Sequence, residues 1–189
     1  MTKKGPHRPV RTRSADWREL ANPWAPFVFA RLVPHAERQC YPHVCYGQMH
    51  VDARRVFLMR GRQRRLVDEL AAAVGLPDDI AGNIHAMTDH LEDLYSHHPA
   101  AEFVIVLRNA DLVQDLDYWI ALFHRVGERY AESIDQGAHF DRPAMPFHAV
   151  LECESEDGLG RVNREIWRET GESTPVPQLG ASPFVEQRR

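Results

Sequence analysis

Short apolar runs alternate with longer segments of helical periodicity through the middle of this chain, and that alternation constrains the fold more than any other feature. The apolar runs lie at residues 56–59, 103–107 and 147–153. Near-continuous apolar strands are typical of parallel sheets that are covered on both faces. Because parallel strands need long crossover connections, we expect helices between them.

The segments between these runs have the three- and four-residue spacing of amphipathic helices. The first predicted helix covers residues 66–74, and the Gly-Leu-Pro sequence at residues 75–77 ends it. A second is predicted over residues 80–97, and a third over residues 112–130 with Asp111 as its N-cap. The predicted order from residue 56 is therefore strand, helix, helix, strand, helix, strand.

The ends of the chain are less regular, and they divide the sequence into four predicted parts. These are a flexible basic arm (1–15), an N-terminal elaboration (16–55), the main domain (56–153) and a C-terminal extension with a Pro-rich tail (154–189). Within the elaboration, residues 27–32 and 46–51 could add one or two strands to the sheet.

Charge is distributed unevenly along the chain. The net charge is −4 overall, but residues 1–66 carry +10 and residues 67–135 carry −11. Residues 76–99 contain five acidic side chains and no Lys or Arg. Part of this charge falls on a polar ridge of the second predicted helix, at spacings of four and three. The ridge consists of His85, Asp89 and Glu92. Such a ridge is either a solvated face or a surface that attracts a cation or a basic protein.

Several classes of protein are disfavoured by what the sequence lacks. No apolar stretch approaches the roughly 20 residues that span a bilayer, and the N-terminus has no signal-peptide pattern, so we expect a soluble cytoplasmic protein. Three cysteines give no disulfide framework. The sequence has no nucleophile elbow, phosphate-binding glycine loop or dinucleotide fingerprint. We therefore predict no catalytic residues, cofactor or metal.

The order of elements, the turn at residues 75–77, the helix sequence at residues 82–91 and the Phe-His-Ala-Val-Leu-Glu strand together resemble the barstar family of bacterial ribonuclease inhibitors. The matching positions in the turn and helix are Leu76, Pro77, Asn83, Ala86, Asp89 and Leu91. The resemblance implies an α/β fold in which a small three-stranded parallel sheet is packed by helices.

The resemblance also implies a function, which is binding a basic ribonuclease or a related nuclease toxin and so protecting the producing cell. The contact would be made by the second helix and the loop before it, and Asp89 falls on the position that enters the nuclease active site in barstar. The partner-binding residues predicted in this way are Asp79, Asn83, Ile84, His85, Thr88, Asp89, Glu92 and Asp93. The positions that depart from the family pattern are Ile80, Ala81, His85 and Thr88.

Other interpretations of the same residues stay open. His85 and Asp89 have the spacing of a helical metal pair, although no third or fourth ligand has a recognisable spacing. The basic N-terminal arm could bind nucleic acid, but the acidic balance of the rest and the lack of interleaved aromatic residues disfavour that function. A protein-interaction domain without inhibitory activity is also compatible. The sequence does not indicate an oligomeric state.

Overall fold

The computed structural model describes most of the chain in segments, and all structural statements below refer to these segments. They are residues 20–33, 66–76, 83–97, 102–134 and 141–171, with the backbone of residues 13–15, 47–52 and 177–179. These residues form one six-stranded sheet in which all neighbouring strands are parallel. The α/β class that the alternating pattern predicts is therefore confirmed.

The sheet is wider than the three strands that the family resemblance implies. Its strands are β1 (Arg13–Ala15), β2 (Val28–Leu32), β3 (Gly47–Asp52), β4 (Phe103–Arg108), β5 (Phe147–Cys153) and β6 (Pro177–Leu179). Their spatial order is β1-β6-β2-β5-β4-β3. The N-terminal elaboration thus supplies β2 and β3, and the C-terminal extension supplies β6. The strand predicted at residues 56–59 lies outside the described residues. The strand that pairs with β4 at this end of the strand order is β3. The domain boundaries stay a prediction.

Helices connect these strands. They are α1 (Leu66–Val74), α2 (Ile84–Glu92), α3 (Leu94–His97), α4 (Leu116–Ala131) and α5 (Glu156–Thr170), with a 3₁₀ turn at Ala110–Leu112. The apolar stripe of every long helix joins one core cluster with alternate residues of β2, β4 and β5. A second, smaller cluster lies on the other face of the sheet, where Leu20 and Ala25 pack on Phe29, Val106 and Val150. The described helices therefore pack on one face of the sheet.

Two helix boundaries differ from the sequence predictions for local reasons. The helix predicted over residues 80–97 begins at Ile84 and is interrupted at Asp93, whose N–H bonds the carbonyls of Asp89 and His90. The next helix begins at Leu116 and not at residue 112, because Asn109 adopts a left-handed conformation (φ 56°) and starts the 3₁₀ turn. Asp111 therefore lies within that turn and is not the N-cap, which is Asp115.

Charged residues at the carboxyl ends of three adjacent strands alternate in sign. Arg31 of β2 is the register partner of Glu152 of β5, which is in turn the register partner of Arg108 of β4. The Glu152 Oε2 atom lies 3.6 Å from the Arg108 Nε atom. Because opposite charges on neighbouring strands stabilise a pairing and like charges oppose it, this row favours the observed register.

Helix α4 is fixed against the start of β2 by a close contact that needs a glycine. A Cβ atom at Gly127 would lie 2.4 Å from the Cγ atom of Phe27, and the ring of Phe27 also packs edge-on against His124 at 5.3 Å. The backbone of α4 and the aromatic ring therefore occupy adjacent space that leaves no room for a methyl group.

We expect Gly127→Ala to lower the free energy of unfolding by about 1–3 kcal/mol, the usual cost of overpacking a core. Gly160→Ala is the matched control, because its Cβ would meet only the Arg164 Nη1 atom at 3.7 Å and helical Ala is favoured over Gly by about 1 kcal/mol. Urea unfolding of both variants measures the difference. Equal stabilities would show that Phe27 moves aside at no cost.

Candidate functional site

The N-terminus of α2 is fixed by a side-chain cap. Asn83 has an extended backbone (φ −88°, ψ 106°), and its Oδ1 atom accepts hydrogen bonds from the N–H groups of His85 (3.1 Å) and Ala86 (3.3 Å). A cap of this kind satisfies backbone donors that have no partner inside the helix. On the face of the helix that packs on the core, Met87 and Leu91 are fully buried. The helix is thus held at its end and along its apolar face.

The polar ridge predicted on this helix points away from the core. His85 and Asp89 are exposed, and Glu92 is half-buried. Among the described residues, Asp89 has no ion pair. The most exposed carboxylate of the ridge is therefore the one that the family resemblance assigns to the nuclease active site.

The other predicted partner-binding residues occupy different environments. Asn83 is exposed but its side chain is used for the cap, and Ile84 is half-buried against the core. Thr88 is only 9% exposed, and its hydroxyl donates to the Ile84 carbonyl at 2.9 Å. This burial leaves Thr88 little surface for a partner. Asp79 lies outside the described residues.

An open cleft of about 210 Å³ lies beside the ridge. It is lined by Asp89, Glu92, Asp93, Tyr95, Arg129 and Ile134. The first four belong to α2, α3 and the break between them, and the last two to the end of α4 and the residues after it. The cleft therefore brings the acidic ridge and the basic side of α4 into one surface.

The carboxylate of Glu92 is shared by two arginines of α4. Its Oε1 atom lies 3.6 Å from the Arg125 Nε atom, and its Oε2 atom lies 3.4 Å from the Arg129 Nη1 atom. The local sequence around Glu92 contains no Lys or Arg, so the sequence alone predicts a ridge whose negative charge is uncompensated. The four-residue spacing of Arg125 and Arg129 places both on one face of α4, but only the packing of α2 against α4 shows which acid they meet.

Asp93 is engaged at the junction between α2 and α3. Its Oδ1 atom accepts a hydrogen bond from the Ser96 hydroxyl at 2.6 Å, and its Oδ2 atom lies 3.4 Å from the His97 Nε2 atom. The His97 ring stacks on His90 with centroids 5.2 Å apart and an angle of 9° between the planes. Asp93 thus helps to shape the junction, and Asp89 is left as the carboxylate with the greatest freedom to meet a partner.

The wall of the cleft at Tyr95 is supported by buried residues that the sequence did not single out. The Tyr95 N–H donates to the Tyr130 hydroxyl at 3.2 Å, and burial raises the pKa of Tyr130 to about 12. The Arg142 guanidinium lies over both rings, 4.7 Å from the Tyr130 centroid and 5.1 Å from the Tyr95 centroid. Burial also lowers the pKa of Arg142. No local sequence pattern marks Arg142, which precedes a proline in a loop.

Metal ligands and a free thiol are two further kinds of group that could carry chemistry in the described part of the chain. No group of three or more His, Cys, Asp or Glu side chains there is arranged to hold a metal ion. The thiol of Cys153 is buried, and its pKa is raised to about 12, mainly by that burial. A thiol that stays protonated is a poor nucleophile. Among the described helices, none combines the length and apolar character needed to cross a membrane.

The fold places the protein in the class of small α/β domains with a parallel sheet and helices packed on one of its faces. Within that class, the family model described as Barstar (barnase inhibitor) matches residues 52–151, which is just over half of the sequence. The chain belongs to the barstar family. The match covers α1 to α4, the acidic ridge, β4 and β5 as far as Leu151, whereas β1, β2, β6, α5 and all but the last residue of β3 lie outside it.

Comparison with solved structures finds a Walker-type ATPase of Pyrococcus abyssi. The two chains share 12% sequence identity with a TM-score of 0.48, and the alignment covers 80% of this chain. It covers 47% of the ATPase chain, so this protein spans about half the length of that one. A search of curated proteins gives no match.

Proposed function

We propose that this protein binds and inhibits a basic ribonuclease, or a related nuclease toxin, with Asp89 as the central contact. It would act as an immunity protein in the cytoplasm of the cell that makes the nuclease. The observation that carries the proposal is the exposed Asp89 carboxylate on a helix that is capped at one end and buried along its other face, in a chain of the barstar family.

The chemistry of the proposed contact follows from the substrate of a ribonuclease. Its active site binds phosphate groups with cationic side chains, and a carboxylate can accept the same charge-assisted hydrogen bonds. Because α2 is already ordered by Asn83, Met87 and Leu91, little conformational entropy is lost when Asp89 enters such a site. His85 lies one turn before Asp89 on the same ridge and would contribute a hydrogen bond or a pH-sensitive contact.

The environments of the predicted residues suggest different roles within this proposal. Asp89 and His85 would make direct contacts, with Asn83 at the rim. Thr88 and Ile84 would support the helix from below. Asp93, together with Asp79, would add to the long-range attraction for a basic protein, which raises association rates more than net affinity, whereas the charge of Glu92 is offset by Arg125 and Arg129.

We expect Asp89→Ala to weaken binding to barnase by about 2 kcal/mol or more, the threshold for an interface hot spot. Asp157→Ala is the control, because this exposed carboxylate belongs to the first turn of α5, which packs near the 3₁₀ turn before α4 and not near α2. Titration calorimetry with catalytically inactive barnase measures both changes. An Asp89→Ala variant that binds as tightly as the parent protein would remove Asp89 from the proposed role.

A further inference from the structure

We infer that Arg125 and Arg129 select the partner. The partner surface that fits this domain has a carboxylate beside the basic centre that binds Asp89. The inference rests on the proposed function and deepens it. It concerns the chemical character of the nuclease: a basic cleft with an acidic rim on the side that faces α4, and not a cleft that is basic throughout.

The two arginines lie beside Asp89 on the surface of the domain. Asp89 and Arg129 line the same cleft, and Arg125 lies one turn before Arg129 on α4. A partner that covers Asp89 therefore also covers at least one of the two guanidinium groups. The arginines belong to the contact surface even though they lie on a different helix from the acidic ridge.

The positive charge of the two arginines exceeds the negative charge that they meet on Glu92. One carboxylate, that of Glu92, lies between two guanidinium groups, which leaves one positive charge in excess within this triad. The other acids of α4 near this point are occupied elsewhere or lie at its end. Glu128 pairs with His124 at 3.7 Å, and Glu132 is the C-cap of the helix.

Both guanidinium groups are accessible to a partner. The side chains of Arg125 and Arg129 are 60% and 56% exposed, and among the described residues each forms one ion pair, with Glu92, at a distance longer than 3.3 Å. Exposed ion pairs of this kind are weak because water and salt screen them. A partner carboxylate could accept two parallel hydrogen bonds from one guanidinium, which is a stronger and more directional interaction. Arg125 and Arg129 can therefore exchange their contacts with Glu92 for contacts with a partner at little cost in free energy.

These features have opposite consequences for two kinds of nuclease. A cleft that is basic throughout would bring its cations against Arg125 and Arg129, and like charges at an interface oppose association. A cleft with an acidic rim would gain contacts at the same positions. The arginines would thus discriminate between nucleases that Asp89 alone would bind without distinction.

The test is the rate at which this protein captures barnase, used as the probe of a strongly basic nuclease. We expect the double variant Arg125→Gln/Arg129→Gln to associate at least about 3-fold faster than the parent protein at low salt, because long-range charge acts mainly on association rates. The difference should vanish near 0.5 M NaCl, where the screening length falls to a few ångströms. Stopped-flow fluorescence measures both rates.

The matched control is Arg164→Gln/Arg168→Gln, which makes the same change in net charge on α5. If the α4 variant associates with barnase no faster than the α5 variant, the inference is overturned, whatever the association rate of the parent protein. The proposed function is judged separately through Asp89→Ala. If the parent binds barnase through Asp89 and the α4 variant is not faster, only the selective role of the arginines fails. If neither the parent protein nor any of the variants binds barnase, that result would count against both the proposed function and the inference about the arginines.

Discussion

Replacing Arg142 with Met is expected to lower the free energy of unfolding by about 3 kcal/mol or more, because it removes a buried cation that is bonded to several carbonyl groups. The guanidinium donates to the carbonyls of Arg129 (2.6 Å), Tyr130 (3.0 Å) and Glu132 (3.1 Å) at the end of α4. The last carbonyls of a helix have no partners inside it, so Arg142 supplies the donors that α4 lacks.

Met has a similar length to Arg and is apolar, so the variant tests the hydrogen bonds more than the volume. Arg164→Met is the matched control, because Arg164 is exposed on α5 and surface substitutions usually change stability by less than about 0.5 kcal/mol. Urea unfolding at neutral pH compares the two. A loss of less than about 1 kcal/mol for Arg142→Met, on the scale of one ordinary hydrogen bond, would show that water replaces the guanidinium at the helix end.

Arg142→Met should also change the structure of the cleft beside Asp89. Arg142 lies over the rings of Tyr95 and Tyr130, and Tyr95 forms a wall of the cleft beside Asp89. The loss of the guanidinium would loosen the junction between α2 and α3. Arg142 is therefore a residue that positions the contact surface from inside the core.

Acid should destabilise this protein through His148 before the carboxylates are fully protonated. His148 is fully buried on β5, its Nδ1 atom lies 3.0 Å from the Pro26 carbonyl oxygen, and its ring packs against Phe29. Burial lowers the pKa of His148 to about 4, and the hydrogen bond to the Pro26 carbonyl opposes that shift in part. The imidazole is therefore neutral in the folded protein at neutral pH.

The direction of the pH dependence follows from the two pKa values. The unfolded chain binds a proton at His148 below about pH 6.5, whereas the folded chain does so only near pH 4. The unfolded state is therefore favoured progressively as the pH falls from about 6.5 to 4, and this group adds no further loss below pH 4. At 1.36 kcal/mol for each pH unit, the loss from His148 is about 3 kcal/mol.

Urea unfolding at pH 7.0 and pH 4.5 measures this loss, and His148→Asn separates it from the effect of other groups. Asn keeps a donor near the Nδ1 position for the Pro26 carbonyl but does not titrate. The variant should be less stable than the parent at neutral pH and should lose less stability between the two pH values. If both proteins lose the same amount, His148 is not the cause of the acid sensitivity.

The fold could be predicted where the hydrophobic pattern of a segment and the packing of the core require the same residues to be buried. The stripe of α1 and the runs that become β4 and β5 consist of residues that the structure buries, because these segments are apolar enough to be buried in almost any arrangement. The start of α4 could not be predicted in this way. Asn109 turns the chain in a left-handed conformation and delays the helix, and a single Asn gives too weak a local signal to place that turn.

The sequence by itself determined that the chain alternates strands and helices, that α2 has an apolar face, and that Asp89 lies on the opposite, exposed flank, because these properties depend only on residue type and helical spacing. The tertiary structure decided the charge of the site. Glu92 is an uncompensated acid in the sequence, but the packing of α2 on α4 brings Arg125 and Arg129 to it from more than thirty positions away. Electrostatic interactions depend on distance in space, and distance along the chain does not report it.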